Sequence, residues 1–122
     1  METIKKEQQI ILEYLKGNDR PDKNYFEGGV KDPIHTNELL MWVEEKEVYD
    51  EEKNDFIKNG EYQINICGSN RSLFELGRYL IALSQYETPN KNYHDHIEEI
   101  GSLENKKPCE LIVHHPTRLQ TE

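Results

Sequence analysis

"GEYQINICGSNRSLFELGRYLIALSQY", residues 60–86, is the stretch whose reading decides the fold. Tyr62, Ile64 and Ile66 alternate with Gln63, Asn65 and Cys67, the period-two pattern of a strand with one face on a core. Gly68 ends that strand, and Ser69 or Asn70 supplies a polar side chain to cap a helix. The helix is expected from about Asn70 or Arg71 to Tyr86, with Leu73, Leu76, Gly77, Leu80, Ile81 and Ser84 facing inward and Glu75, Arg78 and Gln85 facing out. Gly77 costs about 1 kcal/mol against Ala inside a helix, so it implies a close approach of helix to sheet.

Downstream of the helix, "YHDHIEEI" (residues 93–100) and "CELIVHH" (residues 109–115) read as two strands. The turn-rich "GSLENKKP" between them suits an antiparallel hairpin. Upstream, Thr3 to Lys16 has the marks of a helix: Thr3 as cap, Ile4, Ile11 and Leu15 on one face with Ile10 and Tyr14 flanking, and Gly17 as stop. The connector "NDRPDKNYFEGGVKDP" is punctuated by Pro21, Gly28, Gly29 and Pro33 and suits a loop or a short hairpin. Residues 36–58 are ambiguous: Leu39, Leu40 and Val43 suit a helix capped by Thr36 or Asn37, while "LLMWV" also fits a short buried strand; of the two, the helix is expected. The fold class is therefore α+β, one domain over residues 1–122. It has an antiparallel sheet of at least three strands, the helix of about residues 70–86 packed on one face, and an N-terminal helix.

The turn "CGSNRSL" carries no phosphate-binding or nucleophile signature. A phosphate loop needs several glycines at fixed spacing and a Lys before Ser or Thr, and a nucleophile elbow needs Gly-x-Ser-x-Gly; residues 68–72 read "GSNRS". Nothing elsewhere marks a serine as an exposed nucleophile, and pairs such as Glu98 and Glu99 carry little information among 24 acids. Cys67 and Cys109 are too few and too far apart for a disulfide framework or a four-cysteine zinc site; each sits in an expected strand and reads as a small buried hydrophobe. No apolar run approaches the roughly 18 residues of a membrane helix, and Glu7 and Glu13 interrupt the N-terminal apolar run, which speaks against a signal peptide. A cytoplasmic protein is expected.

The net charge of -9 repels nucleic acid and anionic membranes and favours a basic partner. More than half of that excess is concentrated between residues 44 and 55, where Glu44, Glu45, Glu47, Asp50, Glu51, Glu52 and Asp55 face only Lys46 and Lys53. Such a run is either a solvated face or a docking surface. Trp42, Tyr49 and Phe56 are interleaved with the acids, and aromatic anchors inside a charged rim are typical of tight interfaces; Trp42 also suits a core position. Separately, His94 and His96 share a strand face, with Asp95 and Glu98 nearby, and a histidine of the last strand, His114 or His115, comes near them if the strands pair. That set is compatible with a transition-metal site or with half-exposed strand residues, one of them hydrogen-bonded inside the fold.

A strand ending in Gly, an Asn-containing turn, a helix of the form Leu-x-x-(Ala or Gly)-x-x-Leu-x-x-Leu, a His-containing hairpin and a closing Ser- or Cys-Glu-Leu-Ile-Val strand have their counterparts in "ICGSNRSLFELGRYLIALS", "HDHIEEIGSL" and "CELIVHH", with Phe74 in the place of the first Leu and Gly77 as the small residue. Over about residues 61–115 this arrangement resembles the immunity protein 32 family of bacterial polymorphic toxin systems. The resemblance implies a non-catalytic α+β protein without a cofactor that binds and neutralises a cognate toxin protein. The acidic window and its aromatics are then the expected interface. The alternative is a small metal-binding protein or metal-dependent enzyme using His94, His96 and His115.

Overall fold

The computed structural model describes residues 2–17, 28–102 and 108–119. Pro21, most of the polar connector and the tip of the turn after Gly101 lie outside the described residues. The elements run in the order β1 (Tyr14–Leu15), β2 (Gly29–Val30), β3 (Leu39–Asp50), β4 (Asp55–Gly68), α1 (Asn70–Gln85), β5 (His94–Gly101) and β6 (Pro108–His114), with 3-10 turns at Thr36–Glu38 and Pro116–Leu119. The fold is α+β, built on a four-stranded sheet in the order β4-β3-β5-β6. β3 and β4 are antiparallel, as are β5 and β6, but β3 meets β5 in parallel at Leu40 opposite Gly101. The sheet is therefore mixed, where a purely antiparallel one was expected. α1 is the reason: it carries the chain from β4 across to the far side of β3, so β5 re-enters in the direction of β3.

Residues 36–58 form no α-helix. The strand alternative for "LLMWV" extends into a 12-residue strand, and "DFIKNG" joins the strand after it. Cross-strand pairing from Leu39↔Gly68 to Asp50↔Asp55 overrides the weak strand propensity of the acids. Nor does the N-terminus form a helix: residues 2–13 are without regular structure, and Ile4 and Ile11 are exposed. A lone helix of that length is marginal in water without a surface to bury its apolar face. The segment is held instead at its end, where Tyr14 and Leu15 pair with Val30 and Gly29 and the Tyr14 hydroxyl donates to the Ala82 carbonyl at 2.9 Å.

The helix begins as its capping residues require: Ser69 is the N-cap, its Oγ accepting from the Ser72 amide at 3.2 Å. Its buried side is Ser72, Leu76, Arg78, Tyr79, Ala82 and Leu83, rotated from the expected stripe. Leu73, Leu80 and Ile81 are partly exposed and Gly77 faces open space, so Gly77 does not serve an approach to the sheet. Arg78 is buried because Glu75 takes its charge and the Asp32 carbonyl accepts from Nη2. The core joins this side to Val30, Leu39, Tyr93, Ile97 and Ile100. Ile97 and Ile100 differ in strand parity yet both point inward, because a bulge at Glu98 and Glu99 inserts one residue between the pairs Ile97↔Leu111 and Ile100↔Cys109. Glu99 takes the left-handed backbone conformation that the bulge requires, with φ 66. Cys67 is exposed and Cys109 half-buried, because Cys67 projects from the sheet face opposite the helix. No helix among the described residues is long and apolar enough to cross a membrane.

Candidate partner-binding surface

The acidic window becomes one β-hairpin. Among the described residues, β3 beyond Leu40 has β4 as its sole neighbour, so the distal part of the hairpin is a two-stranded ribbon with both faces open. The register sorts its side chains. Val43, Glu45, Glu47 and Tyr49, opposite Ile64, Tyr62, Lys58 and Phe56, lie on the face that carries α1 nearer the core. Trp42, Glu44 and Asp50 lie on the other face, and Glu51 and Glu52 form the turn. The expected interface residues are thus brought onto one hairpin but divided between its two sides. Trp42 is half-buried and Tyr49 exposed, so the two aromatics do not act together.

Local chemistry builds the tip. The Asp50 carboxylate accepts from the Glu52 and Lys53 amides at 2.9 and 3.4 Å, and Asn54 takes φ 50 to close the turn. Tyr49 packs edge-on against Phe56 with ring centroids 5.5 Å apart, and its hydroxyl donates to Asn54 Oδ1. Asp50 stands directly across from Asp55, and like charges in that position destabilise a hairpin. Two extra residues of β4 at Asn59 and Gly60 shift the register between Glu45 and Glu47; Gly60, with φ 85, permits the bulge. Beside it lies a groove of about 590 Å³ lined by Val43, Glu44, Glu45, Glu47, Phe56, Lys58, Tyr62 and Gln63. Glu44 accepts from Asn65 Nδ2 at 3.2 Å and Lys46 pairs with Glu61 at 3.6 Å, whereas Glu45, Glu47, Glu51 and Glu52 have no side-chain partner among the described residues. The groove combines apolar walls with free carboxylates, which suits an extended cationic side chain.

The histidines separate differently from the expectation. His94, His96 and His114 share the outer face of β5–β6, with ring centroids 4.9 Å apart for His94 and His96 and 5.5 Å for His94 and His114. His96 Nδ1 lies 2.5 Å from Glu110 Oε1, and His94 Nδ1 2.7 Å from the Asn92 carbonyl. His115 is not among them: it is buried, its Nε2 donating to the Tyr86 carbonyl and its Nδ1 accepting from the Thr117 amide. Strand alternation explains this, since adjacent residues face opposite sides. Among the described residues no group of three or more His, Cys, Asp or Glu side chains is arranged to hold a metal ion.

A buried polar cluster had no sequence signal. The Tyr79 hydroxyl donates to Asp95 Oδ2 at 2.7 Å, and the Val30 amide donates to the Tyr93 hydroxyl at 2.9 Å. Burial raises the Asp95 pKa, against the hydrogen bonds from Tyr79 and Tyr93, which lower it. Burial also raises that of Asp32, helped by the negative charges of Asp95 and Glu98. These groups come from three separate segments, residues 30–32, α1 and residues 93–98, and their partnership follows from tertiary packing alone.

Residues 63–116 match the family model described as Immunity protein 32, the family that the sequence resembles. The match begins in β4 and ends at the turn after β6, taking in α1 and β5. No curated protein and no solved structure matches the chain.

Proposed function

We propose that this chain is an immunity protein that binds a cognate bacterial toxin, a basic one, and neutralises it in the cytoplasm by covering its active site, without catalysis of its own. The observation that carries the reading is the match to the immunity family over the helix and the strands around it. The acidic hairpin supports the choice of interface. Its free carboxylates at Glu45, Glu47, Glu51 and Glu52 form a projecting negative surface, flanked by Tyr49, Phe56 and Tyr62. Such a surface accelerates encounter with a cationic cleft and competes there with a phosphate backbone. The opposed pair Asp50 and Asp55 is relieved when a cation from the partner reaches the tip.

The test is capture of a toxin domain from the producing bacterium on the full chain, followed by measured affinity and protection of cells from that toxin. Glu51→Lys with Glu52→Lys is expected to weaken binding by about tenfold or more at low salt, because both substitutions reverse exposed charges facing the partner. The wild-type affinity falls as salt rises. Equal affinity of the double variant moves the interface off the hairpin, and failure of the chain to protect cells from any toxin of the same bacterium ends the immunity reading.

A further inference from the structure

β4 stands at the end of the sheet, and no strand among the described residues pairs with its outer edge. Open edges are ordinarily blunted by shortness, by proline or by charged side chains, because unpaired amides and carbonyls invite another strand. β4 is 14 residues long, and its stretch "YQINIC", residues 62–67, holds neither a charge nor a proline, in a chain of net charge -9. The bulge at Asn59 and Gly60 bounds that stretch on one side and the helix cap at Ser69 on the other. Between them the pairing with β3 runs without interruption, so a regular edge of about 20 Å is left open.

We propose that the toxin supplies an extended basic segment that adds to this edge as a fifth strand, a proposal that rests on the immunity reading. In a strand paired on one side only, the backbone groups of alternate residues point outward, and these receive the segment. Such pairing gives affinity through the main chain and leaves specificity to the side chains alongside.

Those side chains define the segment. Tyr62, Ile64 and Ile66 lie on the helix-bearing face, 72, 81 and 47 % exposed, and side chains directly across from them on an added strand stand about 5 Å away. Apolar residues at two alternate positions cover Ile64 and Ile66. The next alternate position falls beside Tyr62, at the mouth of the groove that Tyr62 lines with Phe56, Glu45 and Glu47. Tyr62 is paired with Glu45 of β3, which places that carboxylate two strand spacings, about 10 Å, from the added strand. A lysine or arginine and a glutamate span that distance together, and the cation passes over the exposed Tyr62 ring on the way. Neither Glu45 nor Glu47 has a side-chain partner among the described residues, and Lys58 is the cation among the residues that line the groove. The same charges favour the toxin over a second copy, which would bring a further net charge of -9 to an edge bordered by Glu45, Glu47 and Glu61.

Amide hydrogen exchange followed by NMR on the full chain, alone and with the captured toxin domain, reads the edge directly. Alone, alternate amides of residues 62–67 should exchange fast and the intervening ones slowly. In the complex the fast set should slow by tenfold or more, as main-chain bonds form along the edge. Glu45→Gln, which removes the carboxylate charge, and Ile64→Lys, which sets a like charge against the segment at an exposed position, should each weaken toxin binding by about tenfold at low salt. A bound toxin that leaves the fast amides fast, or affinity unchanged in both variants, overturns strand addition while the immunity reading stands. Capture of no toxin by the chain overturns both. Protection of the fast amides that grows with the concentration of the chain alone gives the edge to a second copy and overturns the proposal.

Discussion

Gly77→Ala adds one methyl group at the middle of α1, and the structure fixes what it meets: nothing within 4 Å. No contact is strained and no φ changes, so only the helix preference of Ala over Gly is left, about 0.8–1.0 kcal/mol. For a chain of this length that is a rise in Tm of about 3–6 °C. The measurement is thermal unfolding of the full chain. Gly68→Ala is the matched control, the same methyl at the end of β4. There it would stand 2.6 Å from Ser72 Oγ and 2.7 Å from Leu39 Cδ2. Leu39 is fully buried and Ser72 belongs to the helix cap, so neither yields freely, and a loss of about 1–3 kcal/mol is expected. A Tm for Gly77→Ala equal to or below its parent would refute the open-space reading of this position, since α1 would then have a close neighbour on that side within the chain.

Two further outcomes are expected. The folded-state pKa of Asp95 is raised by burial, so its contribution to stability is fully present below the ordinary aspartate value of 3.8 and is lost as pH rises through the raised value. Asp95→Asn keeps an acceptor for Tyr79 and removes that loss, so in urea unfolding it should gain on wild type as pH rises above 3.8 until the raised value is passed, and hold that gain beyond it; a difference constant with pH would show that burial does not perturb Asp95. The hydrogen bonds of Arg71 and Ser69 to Glu38 hold its carboxyl down at about 2. Glu38 therefore contributes stability that is present above its ordinary value of 4.5 and lost as pH falls toward 2, and Arg71→Ala should move its NMR titration back toward the ordinary value. An unmoved titration would mean that the ion pair does not form in solution.

The elements with one dominant local signal were legible. The alternation through Tyr62, Ile64 and Ile66, the stop at Gly68 and the cap at Ser69 each depend on neighbours in sequence. Which side of α1 is buried was not, because apolar residues occupy most of its circumference and the choice falls to Tyr79, Ala82 and Leu83, which meet Val30, Tyr93 and Ile97 from distant segments. The same holds for β4, whose apolar face was expected against a core. The alternation is real, but Ile64 and Tyr62 extend beyond the end of α1 and remain exposed. In "VEEKEVYDEEKNDF" the charges hid a strand that exists only through pairing. The acidic cluster was visible as composition, while its division between two faces depends on register. His115 was misplaced by one residue of parity.

The meeting of β3 and β5 at Leu40 and Gly101 divides the labour of the sheet. Below that point strands and helix share one core; above it the hairpin answers to no other part of the fold. Insertions or deletions of matched residue pairs beyond Glu45 preserve the alternation of both strands and disturb no buried side chain. The hairpin can therefore lengthen, shorten or change its residues while the family-like half of the chain stays constant, a separation that would let a lineage retarget the proposed binding surface without redesigning the protein that carries it.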